Sequence, residues 1–205
     1  ENMLAELRKM QHHGKPIKES TVQKYLTVVS AVLSDAKRNE IIQKNPARMI
    51  DLPQCEQSKQ FVPTDEEAQL LLTEFCNLPL TYETYYVLAM FTGCRRGELC
   101  ALKWSDVTIY DNYDWATINI SRSRSSVPGK GVVEGSTKSG RSRTVAVDSD
   151  IAGLIACLYT EKEREASERG EELSEYIFTN EHGKLIHPDT FSKTLRKIYD
   201  SIGLP

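Results

Sequence analysis

No apolar run in this 205-residue chain approaches the about 18 residues that would mark a membrane-spanning helix. No basic, then apolar, then small-residue order marks a secretory leader at the N-terminus. Cysteine is scarce and unpatterned. Cys55, Cys76, Cys94, Cys100 and Cys157 make an odd count with no C-x2–4-C spacing. That argues against a disulfide framework or a cysteine zinc site and fits a reducing cytosol, with most of the thiols expected as small buried hydrophobes. Positive charge is not in excess either, with 26 Lys+Arg against 29 Asp+Glu and a net charge of −3. A uniformly basic nucleic-acid-binding chain is therefore excluded. There is no internal repeat and no low-complexity tract. The initial Met is also missing, and the chain reads as cut at both ends.

The charge that is present is unevenly placed. Residues 122–143 carry six basic groups, Arg122, Arg124, Lys130, Lys138, Arg141 and Arg143, against Glu134 alone. Residues 161–175 hold seven glutamates against Lys162, Arg164 and Arg169. Residues 1–60 are mildly basic, with ten Lys/Arg and seven Asp/Glu. A basic hairpin and a basic N-terminal unit would face a polyanion, and the acidic helix would point to solvent.

Periodicity predicts a mostly helical chain. Residues 2–12 read as the tail of a helix broken by Gly14 and Pro16. Ser20 to Gln23 reads as a capping box opening a helix that ends near Asn39, with Val22, Leu26, Val29 and Leu33 on its apolar stripe and Lys24 off it. Asn45-Pro46 opens a short further turn. The aperiodic stretch from Pro53 to Pro63 reads as a linker. Thr64-Asp65-Glu66-Glu67 is a second capping box. A helix over 83–91 follows, and Leu99 to Trp104 reads as another. Asp106 to Asn112 reads as turn, and Trp115 to Ile120 alternates as a strand. Residues 121–136 read as a long mobile connection, and Thr144 to Val147 as a strand. Asp148 caps a helix running to about Arg169. Tyr176 to Phe178 reads as a short buried strand, and Pro188 opens a last helix that stops at Gly203.

One stretch carries chemistry. Thr92-Gly93-Cys94-Arg95-Arg96-Gly97-Glu98-Leu99 puts two glycines and two arginines at a helix–turn–helix junction. Both Gly93 and Gly97 are expected at positive φ. An arginine there can fork a phosphate, and Glu98, three residues on from Arg95, can hold its guanidinium. The same residues could equally be a structural Arg–Glu pair capping a helix. Lys138, in Thr137-Lys138-Ser139-Gly140, could be an ordinary exposed turn lysine.

The two segments together, in this order, resemble the tyrosine recombinase family of phage and transposon integrases. Its first arginine box reads T-G-x-R-x-x-E-L. Its hairpin lysine sits in T-K-S/T before a strand that begins with arginine. The resemblance implies an α+β, mostly helical fold: a small helical DNA-binding domain fragment followed by a mixed catalytic domain with a small antiparallel sheet. Residues 1–55 would be a partial core-binding domain, 56–63 the linker, and 64–205 the first two-thirds of the catalytic domain. Arg95 would clamp the scissile phosphate, with Arg96 as the competitor if the register differs. Lys138 would protonate the 5′ leaving oxygen, and Glu98 would orient Arg95. Lys24, Arg122, Arg124, Arg141 and Arg143 would contact DNA. Arg141 and Arg143 are expected to be backbone contacts or solvated rather than catalytic. No metal or cofactor is implied. The implied partners are duplex DNA and other recombinase protomers, a tetramer in the family, in the cytoplasm. The family's H-x-x-R box and nucleophilic tyrosine have no match here. His187 is followed by Pro188-Asp189-Thr190, and none of the nine tyrosines has the nucleophile's context. A non-cleaving DNA-binding or assembly module of a mobile element is the alternative, and an unrelated helical regulator a third.

Overall fold

Two hydrophobic clusters organise the chain in the computed structural model, which describes residues 2–12, 14–50, 61–127, 129–138 and 140–205. They belong to two compact units, Glu1–Gln60 and Phe61–Pro205. The expected linker falls largely on 51–60, outside the described residues, as do Cys55 and His13.

The first unit holds α1 (Asn2–Lys9), β1 (Gln11–His12), β2 (Lys15–Pro16) and α2 (Glu19–Arg38). Its core is Leu4, Val22, Leu26 and Ala47. The helix expected to reach residue 12 ends at Lys9, because Gln11–His12 pairs antiparallel with Lys15–Pro16 across Gly14 at φ 74°. The expected Ser20 cap is also corrected. The chain arrives extended, Lys18 takes the N-cap position at ψ 147°, and Ser20 lies inside the first turn. The helix ends at Asn39 as its pattern predicts. Asn45 then fastens a 3₁₀ turn, Pro46–Met49, onto α2. Its side chain accepts from the Ala47 N–H and donates to the Ser30 carbonyl, both at 2.9 Å.

The second unit begins with α3 (Asp65–Cys76), whose Thr64–Glu67 capping box is reciprocal as its sequence predicts. α4 (Leu80–Thr92) and a single turn, α5 (Arg96–Leu99), follow. The strands are β3 (Val107–Tyr110), β4 (Trp115–Ile120), β5 (Arg122–Val127), β6 (Gly131–Ser136) and β7 (Arg143–Asp148). Asp148 accepts from the Ile151 N–H and caps α6 (Ser149–Arg169); α7 (Pro188–Ser201) closes the unit. The sheet is antiparallel in the order β3–β4–β7, and β5–β6 is a separate hairpin. Ala116, Ile118 and Ile120 line the inner face of β4 and join the core with Leu88, Ile155, Leu158 and Phe191.

Four expectations fail here, each for a physical reason. The helix expected over Leu99–Trp104 is only the turn Arg96–Leu99, because Leu99 to Leu102 are buried consecutively and leave no polar face. Asp106–Asn112 contains β3, which pairs with β4 and stacks Tyr110 on Trp115 at 4.1 Å. Residues 121–136 are a paired hairpin rather than a loose connection. Gly129 and Gly131, at φ 77° and 73°, supply its reversal. Tyr176–Phe178 joins the fold through an isolated bridge from Lys103 to Tyr176 rather than through a strand.

Candidate functional site

The junction after α4 is built by Gly93, which ends that helix at φ 60° in the left-handed region. Two residues on, Arg95 takes the extended N-cap position of α5. This places Glu98 at the third helical position, where its carboxylate reaches back to the Arg95 backbone N–H at 2.9 Å. Gly97 does not need positive φ. A Cβ there would lie 2.5 Å from the Arg124 carbonyl oxygen and 2.6 Å from Ser123 Oγ, so the glycine lets β5 pass against α5.

The third member arrives from the sheet. Register pairs Ile120 of β4 with Arg143, the first residue of β7, at the end of the sheet. Arg143 meets Glu98 with both guanidinium ends, Nη2 to Oε2 at 2.7 Å and Nη1 to Oε1 at 3.2 Å. Arg95 Nη1 also donates to Oε1, at 2.9 Å. Glu98 is 1% exposed, whereas the side chains of Arg95 and Arg143 are 57% and 39% exposed. The arrangement is one buried carboxylate under two solvent-facing guanidinium groups. The Arg143 fork, helped by the Arg95 N–H and guanidinium against the cost of burial, lowers the Glu98 carboxyl to about pKa 2. Cys94 lies beside this cluster, with its thiol pushed upward by burial. With two cations and one anion, the surface is suited to an oxyanion such as phosphate.

The remaining sequence-predicted residues separate. Lys138 is exposed on the turn after β6 rather than on the β5–β6 hairpin itself, and its side chain makes no hydrogen bond or ion pair among the described residues. Arg141 is exposed nearby. Arg122 is ion-paired to Asp106. Arg124 is 12% exposed, 3.9 Å from Glu134, and lies over the Tyr176 ring. Both are engaged in contacts within the second unit. Lys24 is exposed on α2 in the first unit. Arg96 turns away from Arg95 to bond Asp189 Oδ1 at 2.7 Å and Ser192 Oγ at 3.1 Å on α7. His187 is the α7 N-cap, its Nδ1 accepting from the Asp189 N–H. The residue underrated by sequence reasoning is Arg143. The signal was in the family pattern, where a strand opening with arginine follows the lysine. Among the described residues, no group of His, Cys, Asp and Glu is placed to hold a metal ion, and no helix is long and apolar enough to cross a membrane.

Comparison with known proteins agrees with this fold. The second unit has the fold of solved DNA integrases. A Tn1549 transposon integrase in complex with a circular intermediate DNA matches with TM-score 0.72 and 14% identity, covering 98% of this chain and 71% of that one. A lambda integrase dimer bound to a COC′ core site matches with TM-score 0.56 and 17% identity, covering 92% and 47%. The profile of the phage integrase family matches residues 62–205, and the chain belongs to that family. The integrase of Mycobacterium phage L5 is 29% identical over 183 residues, 87% of this chain and 45% of its own length. The ICEBs1 integrase of Bacillus subtilis (strain 168) is 24% identical over 175 residues, 85% and 43%. The chain thus spans about half the length of the curated relatives it matches, 45%, 50% and 45% for three mycobacteriophage integrases.

Proposed function

We propose that this chain is part of a site-specific DNA recombinase that breaks and rejoins duplex DNA through a 3′-phosphotyrosine intermediate. Residues 1–55 serve as part of a helical DNA-binding domain, and 64–205 as the first part of the catalytic domain. Arg95 binds the non-bridging oxygens of the scissile phosphate. Of its five N–H donors, one side-chain donor is bonded to Glu98, and the guanidinium faces solvent. As a tyrosine oxygen attacks phosphorus and the bond to the 5′ oxygen breaks, negative charge grows on the oxygens that Arg95 holds and on the leaving oxygen. Lys138 gives that leaving oxygen its proton. The nucleophile and an H-x-x-R box act from positions that this sequence does not match, so these 205 residues bind DNA without cleaving it alone. The working partners are duplex DNA and further protomers in the cytoplasm. Relatives in this fold include a lambda integrase tetramer bound to a Holliday junction.

The observation that carries the reading is the split between neighbours: Arg95 is open above a buried carboxylate, while Arg96 is tied to α7. In the recombinase that contains this segment, Arg95→Ala should cut cleavage by about 10²–10³-fold, about 2.7–4 kcal/mol of barrier. DNA binding should barely change, because one phosphate contact is a small part of the affinity. Suicide-substrate cleavage beside a filter-binding assay reads both. A dead Arg96→Ala next to an active Arg95→Ala would overturn the assignment.

A further inference from the structure

Glu98 has more positive charge around it than it needs for burial. Arg95 alone could neutralise it through the N–H and guanidinium bonds already in place. Arg143 is nevertheless brought 45 residues along the chain to fork both carboxylate oxygens. The consequence falls on Arg95. With Arg143 present, the carboxylate is satisfied and Arg95 gives it one side-chain bond. Without Arg143, Glu98 would be a buried anion whose one remaining side-chain counter-ion is Arg95. The Arg95 guanidinium would then turn in to make the fork itself. The two-arginine site carries one net positive charge, and the one-arginine site none.

We propose that Arg143 is a positioning residue. It occupies Glu98 so that the Arg95 guanidinium stays open and charged toward the phosphate. This rests on the reading of Arg95 as the phosphate clamp. The groups facing Glu98 are Arg95 at the N-cap of α5, Arg143 at the start of β7 and Cys94 in the junction. Of the two arginines on Glu98, Arg143 is the one that can be changed without touching the clamp.

The test has two arms. In the 205-residue chain, a carbon-13 titration of the Glu98 carboxyl should show its midpoint rising in Arg143→Gln. In the recombinase that contains the segment, Arg143→Gln should lower kcat by about 10–100-fold, the range seen when a group behind a ligand is removed. KM for DNA should stay within about threefold. The rate of Arg143→Gln should partly recover as pH falls through the ordinary carboxylate range, about pH 4–5, because a protonated Glu98 no longer draws Arg95 inward. Arg143→Lys restores the charge but not the fork and should recover part of kcat. The double variant Glu98→Gln/Arg143→Gln carries no buried anion. It should fold and should show no low-pH recovery of the Arg143→Gln kind. Parental kcat in Arg143→Gln, with Arg95→Ala inactive, would overturn the positioning role alone. So would a loss with no change in pH profile and no recovery in Arg143→Lys. Normal cleavage by Arg95→Ala would take both readings down.

Discussion

Replacing Glu98 with glutamine changes a single oxygen to an amide, yet its cost should be large. The carboxylate accepts four hydrogen bonds. Oε1 takes Arg95 Nη1 at 2.9 Å and Arg143 Nη1 at 3.2 Å, and Oε2 takes the Arg95 N–H at 2.9 Å and Arg143 Nη2 at 2.7 Å. That fills the acceptor capacity of a carboxylate. Glutamine keeps one oxygen and turns an NH2 toward the other pair of donors, so two of the four bonds fail whichever way the amide lies. At about 1.5–3 kcal/mol for each bond involving a charged group, and with two cations left uncompensated, Glu98→Gln should cost about 3–5 kcal/mol at pH 7. The pH dependence is a second signature. The folded-state pKa of Glu98 is depressed from 4.5 to about 2. Its contribution is therefore complete above the unfolded value and drains away as pH falls from about 4.5 to about 2, in total about 3 kcal/mol. The gap between wild type and variant should be constant from pH 7 to 5 and shrink below that. Urea unfolding read by tryptophan fluorescence suits the measurement, because Trp104 and Trp115 both lie in the second unit. A gap below about 1 kcal/mol at pH 7, or one that stays constant down to pH 2.5, would refute the four-bond argument.

Gly97→Ala should destabilise the second unit by about 1–3 kcal/mol despite alanine's better helix propensity, because the new methyl meets the backbone of β5. Gly153→Ala, where a Cβ meets nothing within 4 Å in α6, should stabilise by about 0.4–1 kcal/mol, and thermal melts of the pair compare them directly. DNA binding by the chain should weaken steeply between 50 and 200 mM salt, since each phosphate contact releases counterions. A salt-independent affinity would contradict the phosphate-binding role. A substrate whose 5′ leaving oxygen is replaced by sulfur needs little protonation, so it should rescue Lys138→Ala but not Arg95→Ala. Equal response of the two variants would remove Lys138 from the acid role.

What could be read from the sequence was local. The Thr64–Glu67 box, the Asp148 cap, the end of α2 at Asn39 and the alternation of β4 are each set by residues within a turn or a strand of one another. Arg95 and Glu98 were legible for the same reason. The β5–β6 hairpin was not, because its Ser, Arg and Gly residues show no apolar alternation, and its hold on the unit is polar: Glu134 accepts from the Tyr176 hydroxyl at 2.9 Å. β3 hid in the same way among polar flanks, with side chains half buried at most. The expected positive φ at Gly97 had the right residue and the wrong cause, since its constraint is the Arg124 carbonyl from another element. The Arg143–Glu98 fork spans 45 residues, and no local pattern encodes which buried carboxylate a strand-end arginine will meet.

Thr137 bears on how a proton could be delivered. It is 3% exposed, its hydroxyl donates to the Arg141 carbonyl at 2.8 Å, and its own carbonyl accepts from the Gly140 N–H at 2.8 Å. The turn bearing Lys138 is therefore anchored at its base. The amine's search becomes rotation about its own stem, on picosecond to nanosecond times, instead of the slower swing of a free segment. An amine on such a short tether samples its reach many times before the slower motions of a free segment. On the proposed acid role of Lys138, the moment of proton transfer would be set by when the leaving oxygen enters that reach, and timing would belong to the seating of the DNA strand.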